Sequence, residues 1–357
     1  MYPKLICNLD KLKHNVAIIL EQSELKSIKI SAVVKGMSAW PDVVEAIVQS
    51  GVTSIADSRI LNLKKLSSIS AEKILLRIPM KSEINDVVKF ADISLNSEIE
   101  IIKLIDATCK KYNIMHGIML MIDVGDRREG ILPQDLNKYI TEIQRLKNIY
   151  VAGIGMNITC YGAILPSKEN LLLLVNCAVE MEKALGYKMK YISGGNSSSY
   201  MYMLTDNLPH KINHLRLGEV LLQGRETEYG SVVNGLYNNT FFMQAEVVEL
   251  KVKSSLPEGR QGIDGFGNKP CFEDKGLRKR AIVAIGRQDI NMNTFEPFDS
   301  DIEVLGASSD HMILDITDSK QKIEVGSIID FHINYEGLLT LSTSEYVNKV
   351  ILNEEDL

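Results

Sequence analysis

Short apolar runs and amphipathic stretches alternate along the first two-thirds of the chain. The runs are KISAVVK near residue 29, TSIAD at 53, KILLRIPM at 73, ADISLN at 91, GIMLMIDVG at 117, VAGIGMN at 151, YISGG at 191 and NHLRLG at 213. Between them lie stretches such as DVVEAIVQSG, NSEIEIIKLIDATCKKYN and KENLLLLVNCAVEMEKALGY, with apolar residues at helical spacing. Each run is nearly continuous in apolar residues, as strands covered on both faces should be. Eight β-α units over roughly 200 residues predict an α/β fold, an N-terminal (β/α)8 TIM-type barrel. A doubly wound open sheet is the rival, but eight runs is more than most open sheets need.

From about residue 229 helical periodicity fades. TFFMQAEVVELKVK, KRAIVAIG, DIEVLGAS, HMILDIT, SIIDFHINYE and KVILN read as strands, punctuated by Gly, Pro, Asn and Asp. The pattern predicts a barrel domain over 1–228 and a C-terminal, mostly-β domain over 229–357. SSLPEGRQGIDGFGNKP at 254–270 is a long Gly/Pro-rich loop, and long loops in compact domains are often functional.

Composition narrows the class of protein. Of 357 residues, 45% are hydrophobic and 24% charged, which is ordinary for a soluble globular chain. The net charge of −6 and the lack of a basic stripe argue against a nucleic-acid surface. No segment has the roughly 18 apolar residues of a membrane span. Five cysteines without CxxC spacing suggest neither a disulfide framework nor a metal site. The chain reads as cytoplasmic, with reduced thiols.

In a barrel of this kind the site sits at the C-terminal ends of the strands. Those ends are Lys35, Asp57, Arg77, Asn96, Asp123, Asn157, Ser193 and Arg216. Asp57 and Asn96 stand where helix caps are expected. Arg77 and Asp123 read as a buried pair tying strands together. Lys35 is the only lysine among them. It is either a strand-end cation that snorkels into water or a desolvated amine kept for Schiff-base chemistry with an aldehyde. ISGGNSSSYM at 192–201 supplies Gly195, Asn196, Ser197 and Ser198 after the seventh strand. There a Gly-rich turn and a helix start make an anion site, and barrel phosphate sites cluster after strands seven and eight. A capped helix with spare serines is the plain alternative. Gly218 in LRLGE could add a backbone N–H, and Arg216 would point into the barrel mouth. A lysine, a phosphate cradle and an inward cation together suggest pyridoxal 5'-phosphate, whose ring nitrogen the arginine would meet.

On these motifs the sequence resembles the alanine racemase-type family of pyridoxal-phosphate enzymes, and within it the ornithine racemase branch. AVVKG resembles the lysine-bearing strand, NSSS the phosphate turn, and LRLG the stretch with the pyridine-contacting arginine. IDVGDRREG resembles the segment with the substrate-side arginine, here Arg128. GIGMN places Asn157 where a histidine is more usual. GASSDHMILDIT matches a segment carrying a Met-Asp pair, here Ser309-Asp310, with His311 following. The strings ADSRILNLKKL, LLRIPM, DISLNSEIE, FGNKPCFEDKG and LGASSDH resemble the ornithine branch. GMSAW after the lysine departs from it, with Ala39 and Trp40 about where alanine racemases place a phosphate-contacting tyrosine.

The resemblance implies racemisation of an amino acid, ornithine or another basic one, in a head-to-tail homodimer whose second domain completes the partner's site. Lys35 would serve one face of Cα. Family members use a tyrosine for the other face, and the matching turn, IDGFGN, has Phe266 there. Asp264 is the first replacement to consider and Asp310 the next, with Arg128, Ser309 and His311 on the substrate side. Asp-Gly is also a favoured turn pair, so Asp264 has an ordinary reading as well. Asp126, Glu219 and Asp310 are possible partners for a distal ammonium, and Glu219 also adjoins the cofactor turn. A broad or alanine-type racemase, a pyridoxal-phosphate homeostasis protein and a decarboxylase of the same fold type are the alternatives.

Overall fold

The first strand, β1 (Lys4–Asn8), stands apart from the eight that follow. β2 (Lys29–Val33), β3 (Ser54–Asp57), β4 (Glu72–Leu75), β5 (Ile93–Asn96), β6 (His116–Ile122), β7 (Ile149–Met156), β8 (Tyr191–Ser193) and β9 (His214–Leu217) close into one parallel barrel in sequence order. Each forms at one of the eight apolar runs. β9 returns to pair with β2, bringing Arg216 level with Ser31. The structure is a computed structural model and describes residues 1–353.

Side chains alternate across each strand. Val33, Ala56, Ile74, Leu95, Met119 and Tyr191 point inward and pack together. Ile118, Leu120, Ile122 and Ile154 point outward, against a layer that includes the helix Lys168–Leu185. That helix starts at Ser167, whose Oγ accepts from the Asn170 N–H at 3.3 Å. It buries Leu171, Leu174, Ala178 and Met181 completely. Full burial of a large apolar side chain stabilises by about 1.5–3 kcal/mol, so this face rather than helix propensity holds it in place.

The other unit is an antiparallel sheet of β10 (Phe241–Ser254), β11 (Leu277–Val283), β12 (Phe295–Pro297), β13 (Glu303–Ala307), β14 (Met312–Asp315) and β15 (Ile328–Ile333), with β16 (Asn348–Leu352) and β1 at one side. β1 pairs antiparallel with β10 and parallel with β16. The compact units are therefore Leu9–Asn238 on one hand and Met1–Asn8 with the chain from Asn239 on the other. The first eight residues, expected in the barrel, belong to the sheet unit instead. Their partners are more than two hundred residues away, a pairing that no local pattern reveals. β12 and the helix Tyr335–Thr343, started by Asn334, are further elements that the reading did not name. Among the described residues, no helix is long and apolar enough to cross a membrane.

Candidate active site

Lys35 follows β2 by two residues, at the start of a short 3-10 turn (Lys35–Met37). It keeps the inward parity of Ser31 and Val33 and is half-buried. The turn is unusual beyond it. Ser38 and Ala39 both have left-handed backbones, φ 51° and 48°, and Ala39 is fully buried. Asp57 lies in the electrostatic reach of Lys35. It is fully buried, and burial pushes its carboxyl from 3.8 up to about 6 against the hydrogen bonds it accepts and the pull of Lys35. Its oxygens take the Arg59 N–H at 2.8 Å and the Asn62 amide at 3.1 Å, at the start of the helix Ile60–Lys65. The helix is capped at Arg59, not at Asp57, which instead closes the turn before it and also feels the lysine.

Arg216 is 3% exposed and points into the barrel. One Nη donates to the Ser193 hydroxyl and the other to the Met156 carbonyl at 2.6 Å. Neither partner is charged. Burial lowers the guanidinium to about 10, still cationic at neutral pH. Gly155 makes the room: a Cβ there would sit 3.2 Å from Arg216 Nη1.

The turn after β8 and the turn after β9 meet at Ser197. Its Oγ accepts from the backbone N–H groups of Gly218 at 3.2 Å and Val220 at 3.3 Å. Asn196 Oδ1 accepts from the Ser198 N–H at 2.9 Å and from its hydroxyl at 2.8 Å. The Asn196 Nδ2 donates to the Ile158 carbonyl at 2.9 Å, tying this turn to the loop after β7. Gly195 accepts the Arg216 N–H at 3.0 Å on its carbonyl. Asn157, set with its oxygen toward Arg128, accepts from Nη2 at 2.6 Å. Arg128 is also paired with Glu129, which raises its pKa further. Glu219 is half-buried beside this turn, and burial pushes it up to about 7.

Lys35, Asn157, Arg128, the 195–198 turn, Arg216, Gly218 and Glu219 thus all belong to the C-terminal end of one barrel. This donor set fits pyridoxal phosphate. Two backbone amides gather at the Ser197 hydroxyl, donors of the kind a phosphate takes. A buried guanidinium with neutral partners suits a ring nitrogen, and an amine stands at the lip.

Other expectations need correction. Arg77 and Asp123 do not pair. Arg77 bonds Glu83 at 2.9 Å within its own loop, and Asp123 takes the N–H groups of Gly125 and Arg127 and the Arg127 guanidinium. Asn96 caps no helix. It faces outward and donates to Ser94, whose hydroxyl meets His116, while its own Oδ1 is buried without a partner. Asp126 is buried and accepts from the N–H groups of Tyr161 and Gly162.

In the other unit Asp264 is half-buried in an otherwise exposed loop, and its carboxylate closes a turn. It accepts from the N–H groups of Phe266 at 2.9 Å and Asn268 at 2.7 Å, which hold it below the usual carboxylate range. Arg287 stacks on Phe266 at 4.4 Å, a contact the sequence reading missed. Asp310 accepts from His311 Nδ1 at 3.0 Å and from the hydroxyls of Ser308 and Ser309. That geometry leaves His311 Nε2 outside the pair.

The chain is similar to known proteins over nearly its whole length. Residues 7–226 match the family described as "Alanine racemase, N-terminal domain". The chain is 46% identical to the ornithine racemase of Acetoanaerobium sticklandii, over 99% of this chain and 100% of that one. It is 37% identical to the lysine racemase of Thermotoga maritima, over 98% of each. A crystal structure of alanine racemase from Bartonella henselae with covalently bound pyridoxal phosphate superposes with a TM-score of 0.74 at 16% identity, covering 99% of this chain and 100% of that one. A buried arginine with neutral partners, a lysine at the barrel lip and a serine-centred anion turn, set in a chain so matched, place this protein in the alanine racemase family of pyridoxal-phosphate amino-acid racemases.

Proposed function

We propose that this racemase acts on ornithine or another basic amino acid, as a cytoplasmic homodimer. The observation that carries the reading is the joint placement of Lys35, Arg216 and the Ser197 turn at one barrel mouth, in a chain alike over its whole length to an ornithine and a lysine racemase. Five free cysteines support a reducing compartment.

Pyridoxal phosphate, when bound, supplies an aldehyde for an amine and a ring that draws electrons from Cα. The chain's residues do the rest. Ser197 Oγ with the Gly218 and Val220 amides would hold the phosphate, alongside Gly195, Asn196 and Ser198. Arg216 would face the ring nitrogen as a donor that keeps its proton. Arg128, steadied by Asn157, is the candidate for the substrate carboxylate, and Glu219 for a distal ammonium. Lys35 removes or returns the proton on one face of Cα. For the opposite face the second unit offers Asp264, Asp310 and His311, with Ser309 beside them. Asp264 has its lone pairs in a turn, and Asp310 orients an imidazole whose Nε2 is unspent in the pair. The Asp310–His311 pair is therefore the better second acid–base group.

The test is a panel of L-amino acids incubated with the pyridoxal-phosphate-loaded protein, with products separated by chiral chromatography. Ornithine and lysine should give D-enantiomer with kcat/KM at least tenfold above alanine. Alanine in first place would replace this reading with an alanine-type racemase.

A further inference from the structure

Below Arg216 a line of polar side chains crosses the apolar barrel interior. Ser193 Oγ, which accepts from Arg216 Nη1, lies 2.9 Å from His214 Nδ1. His214 Nε2 lies 2.8 Å from Ser31 Oγ, and Ser31 Oγ lies 2.8 Å from Ser54 Oγ. Ser31, Ser193 and His214 are 0% exposed, and Ser54 and Arg216 are 3% exposed. Four strands, β3, β2, β9 and β8, contribute to the line. Polar groups are costly here unless bonded, and the neighbouring inward positions are apolar. The line ends on the cation of the site.

Its proton directions follow from the chemistry of the groups. A guanidinium only donates. Ser193 Oγ therefore accepts from Arg216, and its own proton needs an acceptor. His214 Nδ1 is in reach. With Nδ1 bare, the imidazole proton is on Nε2 and is donated to Ser31, which turns its own proton toward Ser54. The opposite tautomer would aim two N–H donors at one serine oxygen beside a cation. In the first arrangement every dipole turns its negative end toward Arg216, which a low-dielectric interior rewards. A charged imidazolium is disfavoured as well. The charges acting on His214 are Arg216, Lys190 and Lys29, all cations, and burial holds its pKa well below the ordinary value. The Tyr191 ring packs 4.3 Å away, with its hydroxyl committed to Glu72 at 2.5 Å.

We propose that Ser193, His214 and Ser31 form a one-way hydrogen-bond relay that positions Arg216, with His214 locked as the neutral Nε2–H tautomer. Both acceptors on Arg216 are neutral, so the relay fixes the guanidinium without cancelling its charge. Its remaining N–H groups would be free to donate to the ring nitrogen of the cofactor. Ser193 and His214 are thus positioning residues for the racemase reaction, and only their effect on rate rests on the function proposed above.

Two measurements test this. The first is nitrogen-15 NMR of histidine-labelled protein without cofactor, across pH 5.5–9. His214 should show a protonated Nε2, a bare Nδ1 and no titration. A protonated Nδ1, or titration within that range, overturns the relay whatever the enzyme's activity. The second compares Ser193→Ala and Ser31→Ala in the loaded enzyme. Ser193→Ala should lower kcat at least tenfold with KM changed less than threefold, and Ser31→Ala should lower it only a few-fold. In Ser31→Ala the labelled His214 should keep its bare Nδ1. Equal losses in the two variants, or no loss in Ser193→Ala with its fold intact by circular dichroism, would contradict a directional relay.

Discussion

Gly195→Ala should be among the most damaging single-methyl changes in the barrel unit, for reasons that can be separated. The residue has φ 120°, a conformation that side-chain-bearing residues rarely adopt. Holding alanine there costs about 1–3 kcal/mol. The new Cβ would also lie 2.7 Å from Ser199 Oγ, far inside contact distance. Ser199 is fully buried and donates to the Gly194 carbonyl at 2.7 Å. Pushing it aside leaves a buried group unsatisfied, at a further cost of about 1–3 kcal/mol. The two together predict a loss of about 2–6 kcal/mol. Gly186→Ala is the control. Gly186 has φ 76° and no atom within 4 Å of a built Cβ, so only the left-handed backbone is penalised, by about 1–2 kcal/mol. Urea unfolding followed by Trp40 fluorescence reads the barrel unit alone, because Trp40 is the sole tryptophan and is buried there. Pyridoxal-phosphate affinity should fall at least tenfold in Gly195→Ala, since its turn carries Asn196 and Ser197. A Gly195→Ala loss no larger than that of Gly186→Ala would refute the reasoning.

Further outcomes follow from the same structure. Burial raises Asp57 from 3.8 to about 6, so between those values the folded chain keeps a proton that the unfolded chain has released. Stability should fall by about 3 kcal/mol as pH rises from about 4 to 6 and then level off. The slope should vanish in Asp57→Asn when urea midpoints of the two proteins are subtracted, and an unchanged slope would clear Asp57 of the effect. Ser38→Gly relieves a left-handed serine and should stabilise the barrel by about 1 kcal/mol on the same Trp40 assay. His311→Gln should slow racemisation by about a hundredfold or more, and Asp264→Asn by less than threefold. The reverse order, read by chiral chromatography, would return the second-base role to Asp264.

Most of the architecture is legible along the chain, because barrel strands are buried on both faces and announce themselves as continuous apolar runs. Lys35, Arg216 and the Asn196–Ser197 turn could be read for the same reason: their places follow from strand ends. What the sequence hides is pairing across distance. β1 finds its neighbours at β10 and β16, and Arg77 and Asp123 each choose a partner within their own loop. Asn96 reads as a cap because it precedes a helix, yet strand parity turns it outward onto Ser94. The Ser31–His214–Ser193 line joins residues from three strands, and a lone buried histidine gives no local sign of it. Glu219 and Asp57 were placed by motif, but their raised pKa values come from surroundings that only the fold assembles.

Lys35 is the amine proposed to serve one face of Cα at the barrel mouth. The most direct measurement is incubation of the loaded protein with L-ornithine in deuterium oxide, followed by chiral separation with mass detection, beside Lys35→Ala. The native protein should give D-ornithine carrying one deuterium at Cα, and Lys35→Ala should give neither inversion nor exchange. Inversion that persists without Lys35, or D-ornithine that keeps its original hydrogen, would contradict that role.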